Sequence, residues 1–174
     1  MKKKKITVSV LVKAAFLTAI SIVLTRSLPL ITKTLRIGLG EVPLMLSGFL
    51  FGPVVGGMAG FVADMVGIII NPQGPPHIGF TISSMLWGII PGLFVSNYEK
   101  LKKEANPYTG LNITLVVSLC ILIISIGLNT FWLSRLYGRA FIVLLPERLL
   151  MALVNIPIQS LIITKLIKHL RKLS

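Results

Sequence analysis

The chain of 174 residues is poor in most of what surface catalysis uses. It has five acidic residues, two histidines and one cysteine. Cys120 stands alone inside an apolar run, which excludes a disulfide framework and a thiolate metal site. Charged residues make up 13% of the chain, against about 25% in an ordinary soluble domain. With 54% hydrophobic residues and a mean hydropathy of +0.88, the composition argues against a compact water-soluble enzyme. What is present instead is long apolar sequence: six stretches of roughly 20 residues would occupy about two thirds of the length. The net charge of +13 does not imply a nucleic-acid partner, because the basic residues fall in short clusters between the apolar runs. The implied surroundings are a lipid bilayer.

The first run covers about 6–25, behind the lysines at 2–5. It is too long for a signal-peptide core, and Arg26 and Pro29 follow it rather than a small-residue cleavage pattern, so it reads as an uncleaved span. The second run, 42–51, covers only about 15 Å of a ~30 Å hydrocarbon core. Further runs fall at about 53–70, 78–95, 111–133 and 146–167, with Gly52-Pro53 as a breaker between the second and third. Lysines cluster at the start, between the fourth and fifth runs, and at the end. Placing all three clusters in the cytoplasm satisfies the positive-inside rule. Parity then requires the short second run to cross, starting as early as Gly38. The expected fold is all-α: an integral membrane bundle of six transmembrane helices with both termini cytoplasmic. It forms a single domain over 1–174, with basic tails at 1–5 and 168–174.

The cytoplasmic clusters contain eleven lysines and one arginine. The other basic residues are Arg26, Lys33, Arg36, Arg135, Arg139 and Arg148, at outer helix ends or in outer loops. Topology rules supply no reason for five arginines there. A guanidinium grips a carboxylate bidentately and is weakly hydrated, so the set suits capture of an anion from outside. The competing reading is that these side chains snorkel to lipid headgroups.

Polar residues recur at helical spacing within the spans. Arg148, Asn155 and Gln159 share a face of the sixth span, and Ser118, Ser125 and Asn129 share one on the fifth, with Trp132 a turn further out. Thr18, Ser21 and Thr25 align on the first span. Thr81, Ser84 and Gly88 align on the fourth, beside Trp87. Such groups are costly in hydrocarbon and should face each other or an internal cavity open to the outside. Asp64 is an ionisable group well inside the third span, hence a site candidate. It could accept the donor edge of an amino-pyrimidinone, pair with an outer arginine, or couple to protons or sodium. Glu41 and Glu147 read as helix-start residues favoured by the macrodipole, with Pro146 in the first turn. His77 reads as solvated in an outer loop, and His169 belongs to the tail. Neither has metal-ligand neighbours. Gly56 and Gly60 allow close helix packing. Ala15 and Ala19 form a small-residue patch, suited either to internal packing or to docking a partner helix. The connections at 27–41 and 71–77 are long or stiff enough to be lids.

Taken in order, Ala15 and Ala19, then Gly40, Glu41, Val42 and Pro43, Gly48, Leu50, Phe51, Gly52 and Pro53, then Gly56, Gly60, Asp64 and Gly67, then Pro72 and Gly74, and Gly79, Phe80 and Thr81 make a pattern. It resembles the substrate-binding S component of an energy-coupling factor vitamin transporter, most of all the folate-specific members. The resemblance implies a bacterial cell-membrane subunit that binds folate or a related vitamin from outside, beneath the loops after helices one and three. It implies docking through Ala15 and Ala19 on a transmembrane T component, with two cytoplasmic ATPases using the ATP and the S component toppling to release its load. No cofactor is expected in this chain, which has no P-loop sequence. On this reading Arg26, Arg36, Arg135 and Arg148 meet the glutamate tail. Phe80, Trp87 and Trp132 offer stacking surfaces, and Asp64 or Asn155 reads the pterin with Asn129 among the buried amides. Other vitamins (pantothenate, biotin, a queuosine precursor) and a solitary proton-coupled carrier are the alternatives. An intramembrane enzyme would need a nucleophile–base pair or metal cluster at useful spacing, and the sequence offers neither.

Overall fold

A computed structural model describes residues 7–26, 38–72, 74–101 and 106–172, with side chains to 170. These residues form six helices: α1 (Val8–Arg26), α2 (Glu41–Phe51), α3 (Pro53–Ile70), α4 (Ile78–Leu101), α5 (Gly110–Tyr137) and α6 (Phe141–Lys172). No strand occurs among the described residues, in agreement with the all-α expectation. Five helices are long and apolar enough to cross a membrane, and α2, with 11 residues, is the exception.

The shortness of α2 has a physical explanation in its surroundings. It packs against α1, α3, α4 and α6, and every residue from Val42 to Phe49 is buried. A helix sheathed in protein need not match the bilayer, because its ends are satisfied by neighbours rather than by lipid. Met45 and Phe49 are fully buried in the apolar core, which continues through Trp87, Ile113, Val117, Ile124, Ile163 and Ile167. Lipid-side positions such as Phe16, Val54, Leu115 and Leu153 are exposed, as expected of a bundle whose solvent is hydrocarbon.

Glycine lets α2, α3 and α4 meet backbone to backbone. A Cβ on Gly88 would overlap the backbone of Gly56, and one on Gly60 would overlap that of Ser84. The Gly56–Gly60 pair therefore works as expected, pressing α3 onto α4. Gly52, at φ 91°, makes the turn between α2 and α3, and Pro53 opens α3 where its missing N–H costs nothing.

Two helices depart from the expected pattern. Within α5, residues Ile121–Asn129 adopt π-helical hydrogen bonding, a wider turn that no composition signal marks. The last helix begins at Phe141, not at Pro146, so Pro146 and Pro157 both lie inside it. Membrane helices tolerate interior prolines where neighbouring groups re-satisfy the freed backbone. Pro157 leaves the Leu153 carbonyl without its helical donor, and one turn further on the Ser160 hydroxyl donates to the Pro157 carbonyl at 3.1 Å.

Candidate functional site

The C-terminal ends of α1, α3 and α5 and the N-terminal ends of α2, α4 and α6 converge around a cavity of about 430 Å³. That lies within the roughly 300–1,000 Å³ typical of small-ligand sites. Its wall includes Arg26, Asp64, Phe80, Trp87, Asn129, Arg148 and Asn155, seven of the ten site residues expected from the sequence. A smaller chamber of about 130 Å³ adjoins it and adds Ser21, Ser83 and Ser84.

Arg26 and Asp64 organise the α1–α3 side. The guanidinium lies 3.5 Å from the Asp64 carboxylate, with side chains only 11% and 8% exposed. Thr81 on α4 donates to the second Asp64 oxygen at 2.7 Å. Arg26 Nη1 donates to the Asn71 carbonyl at 3.1 Å, and Asn71 Nδ2 returns a bond to the Arg26 carbonyl at 3.2 Å. Gly67 is required here: a Cβ would come within 2.6 Å of Arg26 Nε. Of the readings of Asp64, the ion pair with an outer arginine is the one formed. Removing one partner of such a buried pair costs about 3–5 kcal/mol, since the other charge is stranded.

On α6, two amides hold the residue that leads into α2. Gly38 N–H donates to Asn155 Oδ1 at 3.1 Å, and Gln159 Nε2 donates to the Gly38 carbonyl at 2.7 Å and to Glu41 Oε2 at 3.4 Å. Asn155, expected to read a ligand, thus spends its carbonyl on the backbone. Two other buried amide oxygens, Gln159 Oε1 and Asn129 Oδ1, meet no donor among the described residues. A buried acceptor without a partner costs about 1–3 kcal/mol.

Several expectations need correction. Trp132 is not in the cavity wall. Its indole presses on Gly79, where a Cβ would overlap the ring, and it lies 5.2 Å from His77 and 5.1 Å from Phe131 between ring centroids. Arg135 is exposed, its guanidinium 5.5 Å from the Phe131 ring centroid and away from the cavity. Ile121, Ser125, Asn129 and Leu133 line the wall at intervals of four through the π segment, and the wall continues to Leu136 and Tyr137, so Leu133 rather than Trp132 faces the cavity beyond Asn129. Arg36 lies outside the described residues.

His77 is half-buried rather than solvated. It caps α4, accepting the Gly79 N–H at Nδ1 (3.0 Å), which leaves Nε2 to carry the proton of the neutral ring. It also lines the cavity beside Gly74, Pro75 and Pro76. Glu41 opens α2 as expected and yet faces the cavity. Glu147 lies in the second turn of α6, too far in for the macrodipole to explain it, and also lines the cavity. Thr25, the outermost residue of the α1 polar stripe, lines the wall as that stripe led one to expect, whereas Tyr137 and Met151 line it with no signal in the sequence beyond their helices. On α1, Ala14 is buried whereas Ala15 and Ala19 are exposed. Among the described residues no three His, Cys, Asp or Glu side chains cluster to hold a metal.

The family model described as "ECF-type riboflavin transporter, S component" matches residues 5–172. The chain belongs to this S-component family. The folate transporter FolT of Clostridium novyi (strain NT) is 33% identical over 156 residues, spanning 90% of this chain and 86% of its own length. FolT of Leuconostoc mesenteroides subsp. mesenteroides is 28% identical over 150 residues, or 83% and 77% of the two chains. A crystal structure of FolT bound with folic acid matches with a TM-score of 0.71 at 30% identity, covering 87% of this chain and 89% of that one. The S-component resemblance read from the residues is borne out. This S component is a multi-pass membrane transport subunit, and the cavity at one end of its helices is the candidate substrate site.

Proposed function

We propose that this S component captures folate from outside a bacterial cytoplasmic membrane and delivers it inward when docked on a T component driven by two ATPases. The observation that carries the reading is the cavity wall itself. It brings the half-buried Arg148 and the Arg26 guanidinium together with Phe80 and Trp87. Folate combines a dicarboxylate tail with a flat heterocycle, and this wall offers the Arg148 guanidinium for the first and aromatic faces for the second, while Arg26 is held by Asp64. The folate names of the two relatives support the same assignment. Riboflavin, after which the family model is named, is the second reading. It carries no carboxylate, so the dicarboxylate end of the proposed ligand has no counterpart in it.

The chain acts as one transmembrane domain over 1–174 with both termini cytoplasmic, so the cavity opens outward. It performs no catalysis of its own, and ATP is hydrolysed by its partners. The exposed pair Ala15 and Ala19 is the docking face for the T component, small enough for another helix to approach closely. A solitary proton-coupled carrier is disfavoured because Asp64, the acid it would use, is held by Arg26 and Thr81.

Purified protein titrated with folic acid should show quenching of the fluorescence of Trp87, which lines the cavity, at submicromolar ligand. Riboflavin, pantothenate and biotin should fail to compete. Absence of quenching by folic acid overturns the assignment. In the same assay Arg148→Ala should weaken binding by about 2–5 kcal/mol while expression stays near normal. A change below about twofold means that Arg148 makes no contact. Ala15→Trp should leave folic acid binding unchanged and abolish ATP-driven uptake by the complete complex in proteoliposomes. Loss of binding as well would mean that this face is needed inside the bundle.

A further inference from the structure

The two partnerless carbonyl oxygens in the cavity wall bear on which heterocycle the site accepts. Gln159 is 1% exposed, and the orientation of its amide is decided by its neighbours. Both groups near the nitrogen, the Gly38 carbonyl and the Glu41 carboxylate, are acceptors, so the NH2 must lie there and the oxygen must lie opposite. Donation toward a carboxylate also polarises the amide and makes its oxygen a better acceptor. Asn129, in the π segment of α5, lines the same cavity and likewise leaves its Oδ1 buried with no donor among the described residues. Two helices of the wall, α5 and α6, thus each bring a buried acceptor that meets no donor among the described residues. A ligand carrying N–H donors would satisfy them.

Resting on the folate reading of this cavity, we infer that Gln159 and Asn129 are its specificity-determining pair, accepting the N3–H and 2-amino donors of an amino-pyrimidinone ring. The chemistry separates the two vitamins that the family and its relatives name. A pterin edge carries two neighbouring donors, the 2-amino group and N3–H. The isoalloxazine edge of riboflavin carries N3–H alone, flanked by two carbonyl oxygens. Set against a pair of carbonyl acceptors, riboflavin would satisfy one and repel the other. Sites built to hydrogen-bond a ligand group reject analogues that lack it far more strongly than apolar pockets reject a missing methylene.

The test is a ligand-truncation cycle. Wild type, Gln159→Met and Asn129→Leu are titrated with folic acid and with 2-deaminofolic acid, which has hydrogen in place of the 2-amino group. Gln159→Met also removes the bond to Gly38, so a fall in affinity alone would not distinguish reading of the ring from bracing of the backbone. Comparing the two ligands does. Both variants should lose about tenfold or more in folic acid affinity, and the one facing the 2-amino group should lose less than about threefold for the deaminated ligand. Equal losses for both ligands in both variants, or folic acid affinity unchanged in either, overturn the assignment. Wild-type protein that ignores folic acid sinks the folate reading, and the pair's role falls with it.

Discussion

A charged pair nearly sealed from solvent sets the geometry of the cavity. Arg26 ends α1, Asp64 belongs to α3, and Thr81, which fixes the second carboxylate oxygen, belongs to α4. One cluster thus ties three helices at one end of the bundle, and Asn71 joins the 71–77 connection to it through reciprocal bonds. In a membrane bundle there is little hydrophobic force between helices, since lipid is as apolar as leucine, so polar ties and close packing decide how helices meet. The glycines complete the arrangement. Gly67 gives the guanidinium room, and the Gly56 and Gly88 backbones touch where α3 crosses α4.

Opposite this cluster, α5 and α6 supply amides. Asn155 and Gln159 grip Gly38 by its N–H and its carbonyl, fixing the chain as it enters the buried helix α2. Gln159 divides its amide: its nitrogen is spent on the backbone and on Glu41, while its oxygen meets no donor among the described residues.

Much of this was legible in the residues. Six helices, the Gly52-Pro53 turn, the packing glycines and the polar stripe of Arg148, Asn155 and Gln159 all follow from spacing and from the cost of polar groups in hydrocarbon. Arg26 and Asp64 stood out because charges in or beside spans demand a reason. The misses have physical causes. The π turn in α5 has no mark in the residues, so Trp132 was placed on the polar face a turn beyond Asn129, where the wall instead continues through Leu133. Arg135 was singled out only as an outer arginine, and its guanidinium lies beside Phe131. His77 looked like a solvated loop residue because its partner is the backbone N–H of Gly79, which has no side-chain signature. Asn155 looked free because its partner is a backbone N–H, which has no side-chain signature at all.

The account stands on the coupling between Arg26 and Asp64, and a double-mutant cycle measures it directly. Arg26→Ala, Asp64→Ala and the double variant would be compared by thermal unfolding in detergent. Each single change should destabilise the protein strongly by stranding a buried charge. The double change should cost less than the sum, with a coupling of about 0.5–3 kcal/mol. Strictly additive effects would contradict the account, because they would mean that the two charges do not depend on each other and that the cavity is held together by other means.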